Sequence, residues 1–448
     1  MSNQIGLKES IYYKSPVFIQ NILCSIKGVL IRRRRYSSDF MKYLDDYNTH
    51  KFNQLEELRS FCLSIKDVPY YKKLFAAVGF NPSAGDLYAE FKKLPILTKA
   101  DVIANKSDII NPFYQGKVIH SSTGGTTGAG LEFPLSVEAE NKQWAVCWRY
   151  REQLGIAWDT WHGWFGGKVI IPPTHSNAPF WRINRPCKQV MFSSLHLSDK
   201  NIAAFHQCIR DKKLTWLHGY SANINLLASL IVSIHLEPIT SVKFITTGSD
   251  NLLDSYRATM KKAFPNATIA THYAQSECVA NISEMPNGKM FVDEDFSYVE
   301  LIPFDPSQPK LRKVIGTNFV NLAFPLLRYD TGDIVTVENA GTEQEYVSKI
   351  DGREAEYLKL PNGQKIGVTF IDNFEMLKNV NAVQFYQPNI HTLVIRVETS
   401  KVLGKDIESE ILSELKARLA CDIDIKFDYL TKIPRTQSGK LRLLISEV

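Results

Sequence analysis

From about residue 95 onward, short apolar runs bounded by turn residues alternate with stretches whose apolar positions recur every three to four residues. The first pattern marks buried strands and the second amphipathic helices. Residues 168–171 run into Pro172 and Pro173, and residues 214–217 into His218-Gly219-Tyr220. Residues 242–246 run into Thr247-Gly248-Ser249-Asp250, and residues 267–271 into His272. Between them, 223–234 and 252–264 carry helical periodicity, the latter through Leu253, Tyr256, Met260 and Phe264. Asp250 is the candidate N-cap of that second helix. Alternating strands and helices predict an α/β domain with a mostly parallel sheet and crossover helices, its ligands at the carboxyl ends of the strands.

The chain on either side has a different texture. Residues 1–84 are mostly helical in pattern, with Leu55, Leu58, Phe61 and Leu63 in periodic positions. Within 17–31, Phe18, Ile22, Ile26 and Leu30 recur every fourth residue, and four arginines follow at 32–35. Gln20, Asn21 and Lys27 make this stretch too polar, and its length too short, to span a bilayer. The basic cluster follows the apolar residues, the reverse of a signal peptide. Two readings stay open: a helix packed on the domain with its arginines in solvent, or an interfacial helix whose basic flank meets anionic lipid. After residue 351, 383–385 and 393–398 alternate as strands. A helix over 406–420 carries Ile407, Ile411, Leu415 and Leu419, and Ile423, Ile425 and Phe427 alternate again. This β-β-α-β module is small enough to move as a lid. The division predicted is a helical N-terminal segment over 1–84, an α/β core over 85–350, and a small, mobile α+β C-terminal domain over 351–448.

Composition changes the picture little. The chain has 448 residues, 44% of them apolar, enough for two or three domains with sizeable cores. A net charge of +6 is mild for the length and argues against a nucleic-acid partner. Cys24, Cys62, Cys147, Cys187, Cys208, Cys278 and Cys421 are scattered, with no CxxC or Cys/His ligand spacing. That excludes a local zinc motif and suits reduced thiols in a cytoplasmic protein.

Candidate chemistry lies in five segments. In Ser121-Ser122-Thr123-Gly124-Gly125-Thr126-Thr127-Gly128, the glycines let backbone N–H groups converge while the hydroxyls add donors. Such a nest suits phosphate oxygens, although a hairpin turn is the plainer alternative and the lysine of a Walker loop is missing. His272-Tyr273-Ala274-Gln275-Ser276-Glu277 sets an aromatic ring, a hydroxyl and a carboxylate just after a strand. Arg328-Tyr329-Asp330-Thr331-Gly332-Asp333 presents an aspartate beside a glycine turn, and Asp351-Gly352-Arg353 follows. Pro434-Arg435-Thr436-Gln437-Ser438-Gly439-Lys440 ends in a lysine after a flexible Ser-Gly pair. Alone, each has an ordinary reading as a polar turn, a surface acid or a loop.

In order and spacing these segments resemble the adenylate-forming enzymes: acyl-CoA synthetases, luciferases and nonribosomal adenylation domains. The run Asn321-Leu322-Ala323-Phe324-Pro325-Leu326-Leu327-Arg328-Tyr329 is similar to the phenylacetate–CoA ligase branch, and the combination looks like its CapK capsular polysaccharide biosynthesis group. The resemblance implies ATP and Mg²⁺ as cofactors and an acyl-adenylate intermediate. It implies ATP binding by Ser122, Thr123, Gly124, Gly125, Thr126, Thr127, Gly128, Gly248 and Ser249. Tyr273 would stack on adenine beside Ala274, Ser276 would touch the α-phosphate, Glu277 would hold the metal, and Asp333 and Arg353 would bind the ribose. Lys440 would be catalytic: joining a carboxylate to an α-phosphate crowds negative charge, which a placed ammonium stabilises as it develops. The acyl pocket would draw on Trp161, His162, Trp164, Gly219 and Tyr220, with Trp144, Trp148, Trp158 and Trp181 left to core packing.

The chain departs from the family pattern at Gly124, Ala129, Ala274 and, at the hinge position, Ala355 followed by Glu356. The implied function is an AMP-forming carboxylate ligase, its second substrate an amine in polysaccharide or sugar modification. A phenylacetate-type ligase using CoA is the alternative, and a non-catalytic nucleotide-binding relative a further one. A kinase would release ADP instead. The implied partners are a small carboxylate and that acceptor, with no nucleic acid, in a cytoplasmic protein that contacts membrane peripherally through its basic N-terminal segment.

Overall fold

The computed structural model describes residues 7–49, 52–123, 131–172, 174–306, 308–342, 344–353, 357–361, 365–367, 380, 382–399, 403–419, 421, 423–436 and 441–448. The chain gathers into two compact units, each built from separated stretches. One combines Met1–Leu30, Asp159–Thr271 and Asp351–Val448; the other combines Ile31–Trp158 and His272–Ile350.

In the first unit, Trp181–Asn184, Gln189–Phe192, His162–Phe165, Trp216–Gly219, Phe244–Gly248 and the start of Thr268–Ala274 lie side by side in that order. His162–Phe165 pairs in parallel with both of its neighbours, and Trp216–Gly219 does so with Phe244–Gly248. Trp181–Asn184 closes the edge in the antiparallel sense. Helices Ile202–Asp211, Ser221–Ser233 and Asp254–Ala263 fall between the strands in sequence. Phe165, Phe192, Phe205, Leu217, Leu227, Ile245 and Met260 join one apolar cluster. Each such side chain contributes roughly 1.5–3 kcal/mol through burial. This is the parallel, helix-crossed arrangement that the apolar runs predict.

Two local expectations fail, both because a distant polar partner intervenes. Residues 168–171 form no strand. The carbonyls of Val169 and Ile170 instead accept hydrogen bonds from the hydroxyls of Tyr13 and Tyr12, at 3.3 and 2.9 Å. Asp250 does not cap Asp254–Ala263, whose N-cap is Leu253 without a side-chain bond. Its carboxylate accepts from the backbone N–H groups of Ser221 (2.8 Å) and Ala222 (3.1 Å), capping the Ser221–Ser233 helix.

The helix Val17–Arg35 inverts the usual arrangement. Its buried residues are Gln20 and Gly28, and its polar side lies along the edge strand Trp181–Asn184. Asn21 Oδ1 accepts from Ile183 N at 2.8 Å, and Ser25 Oγ donates to Ile183 O at 3.3 Å. Gln20 Oε1 accepts from Nε of the fully buried Arg182. An edge strand offers unpaired backbone groups, and this helix satisfies them with side chains. Gly28 allows the approach: a Cβ there would stand 2.0 Å from Asn184 Oδ1. Packing through the apolar row is therefore ruled out, since Phe18, Ile22, Ile26 and Leu30 all face outward. Among the described residues no helix is long and apolar enough to cross a membrane.

The Asp351–Val448 stretch has a sheet of its own, ordered Asp424–Leu430, Thr392–Glu398, Ala382–Asn389, Leu444–Ser446. Thr392–Glu398 runs antiparallel to Ala382–Asn389 and parallel to Asp424–Leu430. Helix Lys405–Leu419 contributes Ile411, Leu415 and Leu419 to a cluster with Phe385, Leu393 and Ile395. The β-β-α-β reading holds, with one addition. Leu444–Ser446 pairs in parallel with Ala382–Asn389, and at three residues is too short to show alternation.

In the second unit the strands are ordered Ser297–Asp305, Gln308–Asn318, Tyr329–Glu338, Tyr346–Arg353, Met290–Val292, Asn281–Glu284 and the end of Thr268–Ala274. Several of these pairings are antiparallel, because turns and loops rather than crossover helices join the strands. The long helix Val137–Gln153 starts at Ser136, whose hydroxyl accepts from Ala139 N at 3.0 Å. That helix changes the account of the arginine run. Glu140 pairs with Arg34 at 2.5 Å and with Arg35 at 2.8 Å. Arg35 also lies 4.4 Å over Trp144, and Arg32 lies 5.8 Å over Trp158. Trp148 and Trp158 meet edge to face at 4.5 Å. These tryptophans bed the arginines, and Arg33 is the exposed one of the four.

Candidate active site

The segment 328–333 shows how six residues present one carboxylate. Arg328 donates two hydrogen bonds to the Glu300 carboxylate, at 2.9 and 3.0 Å. Its backbone O and the N of Asp330 bracket Leu97 through bonds of 2.9 Å each. Tyr329 is core. Asp330 accepts from Gly332 N at 2.9 Å, stabilising a turn in which Gly332 takes a φ of +70° that favours glycine. Thr331 donates to Val314 O at 2.8 Å and accepts from Asp333 N at 3.1 Å. Asp333 is left 8% exposed, its carboxylate fixed in place.

Opposite it stands the end of Thr268–Ala274. Tyr273 OH and Gln275 Nε2 both donate to Asp333 Oδ2, each at 2.7 Å. Tyr273, Gln275 and Asp333 therefore form one hydrogen-bonded group. Gln275 carries no expected role from the motif, yet period-2 alternation puts it on the side of Tyr273. Its Oε1 is buried without a partner, the kind of orphan that a bound ligand satisfies. His272 points the other way, stacked on Tyr150 at 5.1 Å. Burial, then the charges of Arg151 and Arg149, hold its pKa down at about 3.

Ser276 is exposed and Glu277 is buried. Asn318 Nδ2 fixes Glu277 through its backbone O, at 3.3 Å. Burial, followed by the Glu277 charge, pushes the neighbouring Cys278 thiol far up. Among the described residues no group of three or more His, Cys, Asp or Glu could hold a metal ion.

The glycine-rich segment is flanked by a hairpin. Val118–Ser122 pairs antiparallel with Glu132–Ser136. Thr123 and Leu131 close the base, N to O at 2.9 Å and Leu131 N to Thr123 Oγ1 at 3.0 Å. Gly124, Gly125, Thr126, Thr127, Gly128 and Ala129 lie outside the described residues, as do Ala355, Glu356 and Lys440. Arg353 ends the strand Tyr346–Arg353.

In the first unit the carboxyl ends of the parallel strands carry the other candidates. Gly219 leaves no room for a side chain: a Cβ would meet Phe165 O at 2.4 Å. Tyr220 is the N-cap of Ser221–Ser233. Gly248 ends its strand and Ser249 takes a φ of 70°. Thr247 Oγ1 is buried without a partner at the same strand end, a candidate that a plain apolar run does not reveal. His218 Nδ1 lies 2.9 Å from Thr246 Oγ1. Trp164 stands level with His218 in the strand register, but His162 stands level with Trp216, near the amino ends. His162 packs on Trp216 at 4.3 Å and meets Gln189 at 3.3 Å. Trp161 precedes the strand, with Lys188 Nζ 5.7 Å from its ring. Trp161 and His162 thus stand towards the amino ends of these strands, while Gly219 and Tyr220 stand at the carboxyl end.

A cavity of about 340 Å³ opens in this unit between Gly166, Ser194, Asn223, Leu226, Lys432 and Arg435. Arg435 Nη1 and Ser194 Oγ are buried there without partners. Burial, then the charge of Arg435, lowers the Lys432 pKa. Lys168, Lys432 and Arg435 share the lining with Asp199 and Glu398, over the apolar side chains of Leu195, Leu197, Leu226 and Leu230.

These features can be set beside known proteins. The CapK C-terminal domain family matches residues 358–447. Protein CapK of Staphylococcus aureus is 26% identical over 452 residues, spanning 98% of this chain and 99% of the relative. A 2-hydroxyisobutyryl-CoA ligase, solved in the postadenylation state with R3-HIB-AMP, superposes with a TM-score of 0.66. That likeness is 16% identical and covers 88% of this chain and 89% of the other. This chain shares the fold of that ligase, and its residues 358–447 match the CapK C-terminal domain model. The same ligase with 2-HIB-AMP and CoA, in the thioesterification state, gives a TM-score of 0.51 at 16% identity, covering 92% and 91%. The CapK match falls on the four-stranded module, whose sheet and helix occupy the same residues.

Proposed function

We propose that this CapK-type chain is an AMP-forming carboxylate ligase. The observation that carries the reading is the Tyr273–Gln275–Asp333 group, a fixed carboxylate beside an aromatic ring at a strand end, in a chain of adenylate-forming fold. Asp333 accepts the ribose hydroxyls, Tyr273 lies against the base, and Ser276 and the glycine-rich segment 124–128 donate to phosphate oxygens. Glu277 holds Mg²⁺, which neutralises phosphate charge. In the first step a substrate carboxylate oxygen bonds to the α-phosphorus and pyrophosphate leaves. In the second, an acceptor attacks the acyl carbon, loses its proton, and AMP leaves. Lys440 supplies positive charge during the first step.

The acceptor proposed is an amine on a sugar in polysaccharide modification. What supports this choice is the likeness to the CapK group. CoA is the second reading, favoured by a ligase of this fold solved with CoA. Pyrophosphate and AMP release with a panel of carboxylates, with amino sugars and CoA supplied in parallel, tests both. ADP release, or carboxylate-independent turnover, would overturn the ligase. Lys440→Ala should slow adenylate formation by about 10²–10³, the scale of one lost electrostatic donor. It should leave acyl transfer from presynthesised adenylate near the wild-type rate, and equal loss of both steps would refute the role given to Lys440.

A further inference from the structure

The helix Val17–Arg35 has used its polar side on the body of the protein, and this leaves its apolar side unexplained. Asn21 and Ser25 satisfy the edge strand, Gln20 binds Arg182, and Gly28 seats against Asn184. Phe18 is 63% exposed, Ile22 50%, Ile26 55% and Leu30 64%. Four large apolar side chains in one i, i+4 row are a continuous patch, unlike the scattered exposed residues of an ordinary surface. Ile11 and Leu23 widen it. Retaining such a row in water has no folding benefit, because the helix is anchored from its other side.

Charge says what covers it. The helix Val17–Arg35 contains no aspartate or glutamate. Lys14, Lys27 and Arg33 are exposed. Lys14 lies four residues before Phe18, Lys27 follows Ile26, and Arg33 lies three residues after Leu30, so cations border the row along its length. The other arginines are taken: Arg34 and Arg35 by Glu140, and Arg32 by Trp158. An apolar row bordered by cations matches the acyl–headgroup boundary of an anionic bilayer, where the apolar side chains sink and the cations stay among the phosphates.

We propose that the outward face of Val17–Arg35 docks this protein on anionic lipid, lying in the plane of the membrane surface. The proposal stands apart from the ligase chemistry. The full-length protein would be sedimented with vesicles of phosphatidylcholine alone and of phosphatidylcholine mixed with phosphatidylglycerol, at low and at physiological salt. Binding is expected to the mixed vesicles and to fall with salt, because the Debye length shrinks. Joint substitution Phe18→Ser, Ile22→Ser, Ile26→Ser and Leu30→Ser should weaken it at least tenfold. Each of Lys14→Gln, Lys27→Gln and Arg33→Gln should weaken it by about fivefold, the equivalent of roughly 1 kcal/mol per cation. All seven side chains are exposed, so unchanged far-ultraviolet circular dichroism and nucleotide binding verify the fold. No binding by the wild type at low salt, or equal binding by the four-serine variant, would overturn the proposal. So would a wild-type dimer that the four-serine variant dissolves, since the row would then be covered by a second copy.

Discussion

Asp333 receives two hydrogen bonds on one oxygen and belongs to a turn in which every neighbour has a positional task. A carboxylate held this firmly loses little freedom when a diol replaces its present donors. Asp333→Ala should remove charge-assisted bonds of roughly 1.5–3 kcal/mol, or about tenfold to a hundredfold in ATP affinity. Equilibrium binding of a fluorescent ATP analogue to the folded variant would measure this; unchanged affinity would remove Asp333 from the nucleotide site. His272 makes a separate prediction. Its folded pKa of about 3 lies below the ordinary value of 6.5, so between those values the unfolded chain binds a proton that the folded chain does not. Its contribution to stability is whole above pH 6.5 and is lost as pH falls towards 3. From pH 7 to 5 the loss is up to about 2 kcal/mol. In urea unfolding at both pH values, His272→Phe, which keeps a ring against Tyr150, should lose less stability than the wild type over that interval. At this scale the juxtaposition of Tyr273 and Asp333, both singled out by their segments, was legible, and a hydrogen bond joins them in the structure. Gln275 and Thr247 lie in quoted segments without a role, because their significance lies in a partner 58 residues away and in an unsatisfied hydroxyl, neither of which a local pattern records.

Elements were legible where burial alone decides them. Trp216–Gly219, Phe244–Gly248 and Thr268–Ala274 follow the apolar runs to within a few residues, as do Ala382–Asn389, Thr392–Glu398 and Lys405–Leu419. The failures share one cause. Residues 168–171 read as a strand because they are apolar, but the hydroxyls of Tyr12 and Tyr13, in the helix Leu7–Lys14, take the carbonyls of Ile170 and Val169. Of the two readings left open for the row in Val17–Arg35, packing through it gave way because an exposed sheet edge asked for polar side chains instead. Asp250 reads as the cap of the helix that follows it, but it serves the helix before it in sequence. That last case is testable. Asp250→Ala leaves the N–H groups of Ser221 and Ala222 without their acceptor. The cost should be about 1 kcal/mol, within the 0.5–2 kcal/mol range for cap removal. A urea midpoint unchanged by the substitution would show that water replaces the cap.

Across the whole molecule, the class of fold was legible and the grouping of distant stretches was not, since nothing local in residues 159–271 names 351–448 as their companions. That grouping has a consequence for how the chain is made. Each unit closes with residues synthesised long after those that begin it: Ile31–Trp158 waits for His272–Ile350, and Asp159–Thr271 for the C-terminal stretch. At about 5–20 residues per second, the interval between translating Trp158 and Ile350 is about 10–40 s. During it the nascent chain carries unfinished apolar faces that no local folding can hide. The helix Val17–Arg35, with its outward row, is synthesised while Arg182 and Ile183, which hold its other side, are still unmade. Vectorial synthesis therefore presents the proposed docking row before the sheet edge that holds the helix exists.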